Sequence, residues 1–224
     1  MDLTFKIKSS GLIEMVYQEK GLTVEKLLDL SQLVDLISSL KHEPQNDTEW
    51  LKPVILPSNA VAFIESSCSK FLKLVSKTDK EVFPFLYEDT LYNVPYPSLL
   101  FMFHISWDKV RSTYSLQRTS VAAIKDFTGM DTELYKYPFS HVSHTSMCTG
   151  NIEKRETGCL SSFEDLPRHI ITIPNGTHHW SSDNNLSSYN SLRDLLAFLD
   201  DKPVFPEKWL SPLNLTLENW LKQV

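Results

Sequence analysis

The chain has 224 residues, of which 42% are hydrophobic and 22% charged, and it carries a formal net charge of -6. That balance excludes disordered, collagen-like and fibrous classes and leaves one large globular domain, or one domain with an appendage. The acidic excess argues against a protein that coats nucleic acid, and the sequence has neither a signal-peptide core nor an apolar run long enough to span a bilayer. Three cysteines, an odd number too small for a disulfide scaffold, favour a reducing compartment, so a cytoplasmic, membrane-free protein is expected. Residues 1–50 hold five Lys and nine Asp or Glu, which places -4 of the net charge there.

In chain order, Leu3, Phe5 and Ile7 alternate with polar residues, and Ile13, Met15 and Tyr17 resume that period after Ser9-Ser10-Gly11. This predicts a hairpin. Thr23 then reads as the cap of a helix with apolar positions Leu27, Leu30, Val34, Ile37 and Leu40, ended by Lys41, His42 and Pro44. Residues 43–50 read as a loop, and residues 53–56 and 60–64 as short strands broken by Pro57-Ser58-Asn59. Residues 66–80 fit a helix with Cys68, Phe71, Leu72 and Val75 on one face and Lys70, Lys73, Lys77 and Lys80 on the other. Strands are expected over residues 99–107 and 110–116, joined at Asp108-Lys109. Residues 137–150 have no clean period and read as a structured loop. Pro174-Asn175-Gly176-Thr177 is a turn signal, residues 191–199 a helix, and residues 215–221 a last short helix. Helices beside antiparallel strands indicate an α+β fold.

Chemistry concentrates in the second half. Cys68 falls on the apolar face of its expected helix, where a thiol acts as a small hydrophobe. Cys159, in a Gly-Cys-Leu-Ser-Ser loop, has no specified task. Cys148 lies in a loop beside Thr149 and Gly150, with His141 and His144 upstream. A nucleophilic thiol needs access, thiolate character and oxyanion donors, and small neighbours leave room for an acyl group. Five of the seven histidines lie between His141 and His179. His141, His144 and Cys148 have ligand types that suit zinc, but no Cys-x-x-Cys pair accompanies them, so no metal or other cofactor is assigned. A Cys–His hydrolase with His178 or His179 as base lacks an identifiable orienting group. His104, inside a strand, reads as a satisfied core histidine. Neither glycine-rich phosphate loop is present.

Several segments, taken together, resemble a known family. The order Val94-Pro95-Tyr96-Pro97-Ser98-Leu99-Leu100-Phe101, Tyr137-Pro138-Phe139-Ser140-His141-Val142, Cys148-Thr149-Gly150 and Phe205-Pro206-x-x-Trp209-Leu210 is similar to prokaryotic ubiquitin-conjugating-like family D, which includes the protein B component of PRTRC systems. Lys52-Pro53-Val54-x-Leu56-Pro57 adds to it, so the likeness spans roughly residues 50 to 220. The resemblance implies a ubiquitin-conjugating-enzyme-like core, an antiparallel sheet flanked by helices, over residues 46–224, with a hairpin-and-helix extension at residues 1–45 and C-terminal helices. It implies Cys148 as acceptor of a ubiquitin-like protein delivered as a thioester by a ThiF-type activating enzyme, with a JAB-type peptidase in the same gene neighbourhood. An amine or hydroxyl would then take the acyl group.

The His-Pro-Asn motif of eukaryotic conjugating enzymes is absent, and His141 stands where family D commonly has Asn. His141, through a ring N–H, or the Ser140 hydroxyl is therefore the expected replacement donor, with His144 kept in the candidate set. The competing role for His141 is bracing the loop. Two rival functions stand beside conjugation: a non-catalytic binding module on the same fold, and a Cys/His hydrolase, zinc-dependent or not, using residues 141–179.

Overall fold

The computed structural model describes residues 3–7, 13–19, 22–33, 54–66, 70–108, 110–150, 152 and 156–223. The chain divides into two units, Met1–Lys52 and Pro53–Val224. In the first, β1 (Leu3–Ile7), β2 (Ile13–Glu19) and β3 (Leu22–Leu28) form an antiparallel three-stranded sheet. The expected hairpin is there, with Phe5 opposite Met15. The expected helix from Thr23 is not. Residues 22–28 pair with β2 along their whole length, Thr23 opposite Gln18 and Leu28 opposite Ile13. Helical backbone begins only at residue 30, where Asp29 Oδ1 accepts the Gln32 N–H at 2.8 Å. Leu22, Thr23, Val24 and Glu25 alternate with a period of two before Lys26 and Leu27 break it, while Leu27 and Leu30 keep the helical spacing, and a partner strand decides between them. Val34, Ile37, Leu40, Lys41, His42 and the 43–50 loop lie outside the described residues.

The second unit is built on a nine-stranded antiparallel sheet. Its spine is β4 (Ala60–Glu65), β5 (Phe71–Thr78), β8 (Ser98–Asp108) and β9 (Thr113–Ile124), each paired with the next. Between β5 and β8 the chain makes a separate two-stranded ribbon, β6 (Glu81–Tyr87) and β7 (Thr90–Tyr96). Pro84 and Pro95 lack the N–H that a further strand would need, so the ribbon's edges are poor templates for extension. The outer edge of β9 takes three short strands in turn: β10 (Glu133–Tyr135) at Ala123, β12 (Ser146–Met147) at Thr119 and Ser120, and β13 (Glu156–Thr157) at Tyr114 and Ser115. β11 (Val142–Ser143) pairs with β12, and β14 (Pro212–Thr216) with β10.

Residues 66–80 are thus not a helix, and Cys68 lies outside the described residues. β5 is buried on both faces over its middle, and its alternation sends Leu72 and Leu74 to one side and Lys73, Val75 and Lys77 to the other. On the front face Leu74, Phe101, Phe103 and Val121 pack with α1 (Leu166–Ile171), α2 (Leu192–Leu199) and the aromatic side of the ribbon. On the back face Val75, Leu100, Met102 and Ala122 are covered by Leu217, Trp220 and Leu221 of α3 (Leu217–Lys222). β8, sandwiched between both layers, reads as a continuous apolar run for that reason. α2 matches the expected helix, with the Ser191 hydroxyl capping the Asp194 N–H. α1, β14 and the ribbon had no counterpart in the sequence reading. Among the described residues no helix is long and apolar enough to cross a membrane.

Candidate active site

The segment from Tyr137 to Gly150 leaves the core, forms a hairpin and stops at an exposed thiol. Tyr137 and Phe139 are fully buried in an aromatic cluster: Phe139 lies 4.8 Å from the Tyr96 ring, 5.4 Å from Phe85 and 6.0 Å from Phe205. Two asparagines hold the backbone carbonyls of this stretch. Asn185 Nδ2 donates to the Pro138 carbonyl at 3.3 Å, and Asn184 Nδ2 to that of Phe139 at 3.2 Å. His141 then takes a left-handed conformation, φ 67°, which turns the chain out of the core.

β11 and β12 follow as a tight hairpin with His144 and Thr145 at its turn; His144 has φ 58°, as such two-residue turns require. The hairpin is anchored on both sides. The Thr145 carbonyl accepts the Val121 N–H at 2.7 Å, and Thr145 Oγ1 accepts the indole N–H of Trp220 at 3.3 Å. Val142 faces Met147, so the next pair in register is His141 and Cys148, and the Cys148 N–H donates to the His141 carbonyl at 2.8 Å. Cys148 is exposed and Thr149 beneath it is buried, while Gly150 has φ 57°. Among the described residues the Cys148 thiol has no hydrogen-bond partner.

His141 is a hub. Its N–H donates to the His178 carbonyl at 2.7 Å, and its ring Nε2 accepts the Gly176 N–H at 3.1 Å. Burial first, then the neighbouring His178 and His179, hold its pKa below the ordinary imidazole value. A neutral ring accepting at Nε2 carries its proton on Nδ1, so Nδ1–H is the donor it can offer. The His178 ring stands edge-on to it at 6.0 Å, with the His179 ring tilted against His178 at 3.8 Å. The strap that supplies Gly176 is itself fixed: the Asn175 N–H donates to the Leu86 carbonyl at 2.7 Å, and its carbonyl accepts the Glu88 N–H at 3.2 Å.

The four expected site residues therefore separate. His141 and Cys148 are cross-strand neighbours. Ser140 is fully buried and donates to Asn175 Oδ1 at 3.3 Å, which commits its hydroxyl to tying the loop to the strap. His144 stands at the far end of the hairpin, two residue pairs from Cys148. Asn175, Gly176, Asn184 and Asn185 were not singled out for the site. Only the turn signal at residues 174–177 hinted at the first two. Among the described residues no three His, Cys, Asp or Glu side chains converge as a metal site requires.

Cys159 lies at the other end of the same edge. The β12 and β13 contacts on β9 are five residues apart, or ~16 Å along a strand. Its sulfur is 2.9 Å from Ser161 Oγ, and that hydroxyl together with the Ser161 N–H lowers the thiol's pKa. It is only half-buried.

Comparison with known proteins adds no relative. No family model matches the chain, and neither does any curated protein or solved structure.

Proposed function

We propose that this chain is a ubiquitin-conjugating-like enzyme that takes a ubiquitin-like protein onto Cys148 as a thioester and passes it to an amine or hydroxyl. The observation that carries this reading is the pairing of an exposed, unbonded Cys148 thiol with a neutral His141 across a hairpin welded to the sheet edge. The likeness to family D in the order of Val94–Phe101, Tyr137–Val142 and Cys148–Gly150 supports it. So does an antiparallel β4-β5-β8-β9 meander followed by a cysteine-bearing loop, an arrangement compatible with a conjugating-enzyme core.

In the first step Cys148 Sγ attacks the thioester carbonyl held by a ThiF-type activating enzyme. A carbon–sulfur bond forms to Cys148, the one to the activating enzyme's cysteine breaks, and the proton lost by Cys148 ends on the released thiol. One thioester replaces another, so the exchange is nearly balanced and the protein contributes position. His141 Nδ1–H is the donor available for the negative charge that develops on the carbonyl oxygen. In the second step the acceptor's nucleophile displaces Cys148 in the same way.

The test is charging. With the activating enzyme, the ubiquitin-like protein and ATP, wild type forms an adduct cleaved by thiols. Cys148→Ser forms one that resists thiols but yields to base, because an oxygen ester has replaced the thioester, and Cys148→Ala forms none. An adduct that persists in Cys148→Ala and disappears in Cys159→Ala moves the nucleophile to Cys159, the thiol with the lowered pKa. No adduct from folded wild type in a system that charges its activating enzyme overturns the reading.

A further inference from the structure

The last strand on one side of the nine-stranded sheet is β4, which pairs with β5 and, among the described residues, with nothing on its other side. Hydrogen-bonded pairs alternate along an antiparallel ladder, so the parity of β4 is readable. The Ser66 N–H donates to the Phe71 carbonyl at 2.8 Å, and two residues back Ile64 is opposite Lys73. Ser66, Ile64 and Ala62 therefore turn their main chain towards β5, while Phe63 and Glu65 point their N–H and C=O groups outward. Natural edges are commonly blunted by a bulge, a proline or a lysine. Here the register shift at Val61 protects only the start of the strand. Ala62, Phe63, Ile64 and Glu65 include neither proline nor lysine, which leaves a short open template.

The side chains of this edge show what fits it. On the back face Ile64 is 42% exposed, and its diagonal neighbour on β5, Phe71, is 56% exposed. They flank a cavity of about 480 Å³ whose lining continues through Lys73 and His104 to Leu221 of α3. The two basic groups there are closed to a ligand. The Lys73 ammonium donates to the Leu221 carbonyl at 2.8 Å and to that of Gln223. His104 is no satisfied core histidine: its Nε2 is buried and has no partner among the described residues. What the cavity offers at its β4 end is apolar wall. On the front face Phe63 packs into the core, while Glu65 is exposed and has no ion pair among the described residues.

We propose that the β4 edge binds an extended peptide by strand addition, antiparallel to residues 62–66, with a basic residue opposite Glu65, an aliphatic one opposite Ile64 and a β-branched one opposite Phe63. Main-chain bonds to Phe63 and Glu65 hold the peptide, and alternate side chains select it. The aliphatic side chain covers Ile64 and Phe71 at the mouth of the cavity, and the cation opposite Glu65 fixes the register. A second copy of β4 paired about Ile64 would set Phe63 against Glu65 and leave both carboxylates without a cation, so the occupant is a different polypeptide. The edge uses no residue of the Cys148 chemistry, so it stands or falls independently of the conjugation reading.

The test titrates the full chain with a capped peptide, acetyl-Ser-Thr-Lys-Ile-Val-Thr-Ser-amide, followed by NMR. In the free protein the Phe63 and Glu65 amides should exchange with solvent quickly and the Ile64 amide slowly, and saturation with peptide should slow the first two. N-methylation of the peptide valine, whose N–H faces Phe63, should weaken binding about ten-fold or more. N-methylation of the peptide isoleucine, whose N–H faces away, should change it less than about three-fold. Replacing the peptide lysine by glutamate should weaken binding about three-fold, and Glu65→Lys, an exposed change, should reverse that preference. Phe63 and Glu65 amides already protected in the free protein, no binding at millimolar peptide, or binding indifferent to which N–H is methylated would overturn the proposal. So would protection of the two amides that grows with protein concentration alone, which would make the occupant a second copy.

Discussion

His141 joins more parts of the candidate site than any other residue. Its carbonyl holds the Cys148 backbone, its N–H reaches His178, and its ring is oriented by Gly176. Bracing and donation, the two roles that the sequence leaves open for it, are therefore served by different atoms. Bracing uses the main chain, which any residue able to adopt φ 67° supplies; donation uses Nδ1–H alone. The two separate by substitution. His141→Asn tolerates the left-handed backbone and keeps an N–H donor, whereas His141→Gly keeps only the backbone. If donation matters, His141→Gly transfers about 100-fold more slowly in single-turnover assays while His141→Asn retains much of the rate. Equal loss in both variants, or none in either, would remove the ring from the chemistry. Gly176 offers a second handle. A Cβ there meets nothing within 4 Å, so Gly176→Ala should be silent, while Gly176→Pro deletes the N–H that fixes the ring's tautomer.

At the scale of elements, the position of Cys148 depends on a helix far along the chain. Trp220 of α3 is fully buried against the back of the sheet and reaches Thr145 through its indole N–H. Trp220→Phe keeps most of the packing and loses that bond. It is expected to cost about 1 kcal/mol in urea unfolding, and to speed amide exchange at Val121, whose N–H the Thr145 carbonyl accepts. Trp220→Ala adds a cavity and should cost about 3–5 kcal/mol. Unchanged exchange at Val121 in Trp220→Phe would show that the hairpin is anchored without α3. The same elements show what the sequence could disclose. β8 and α2 were readable because a double-sided apolar run and a 3–4 spacing after a Ser cap each admit one interpretation. β5 was not, because lysines at 70, 73, 77 and 80 fit a helix stripe; burial on both faces of a central strand outweighs that spacing, and Lys73 is drawn inward to α3's carbonyls. The ribbon alternates cleanly, Phe83, Phe85 and Tyr87 against Tyr92, Val94 and Tyr96, but its prolines disguise it. Of the site, Cys148 and His141 were visible as residue types near one another. Their pairing was not, since it depends on a two-residue turn at His144 that Ser143-His144-Thr145-Ser146 does not announce. Asn184 and Asn185 reach the site through the Phe139 and Pro138 carbonyls, more than forty residues away in sequence.

At the scale of the whole molecule, the two shifted histidines link folding to acid. Burial, then Lys73 and Arg118, lower the His104 pKa from 6.5 to about 4. His141 is lowered too, mainly by burial. In the unfolded chain both bind a proton near 6.5, whereas the native state resists doing so. Between those values the unfolded state holds more protons, so stability rises with pH there. The native state consequently keeps its full margin above pH 6.5 and loses it as pH falls towards 4. For His104 the full shift would be worth about 3 kcal/mol, and solvent screening of a half-buried ring reduces this to about 1–2 kcal/mol. The acidic groups of the chain also titrate across that range, so the decisive quantity is a difference. His104→Gln should unfold in urea with a stability that falls about 1–2 kcal/mol less than wild type between pH 7 and pH 4. Parallel pH–stability curves for the two proteins would mean that the imidazole reaches solvent freely, and that Lys73 and Arg118 exert no field on it.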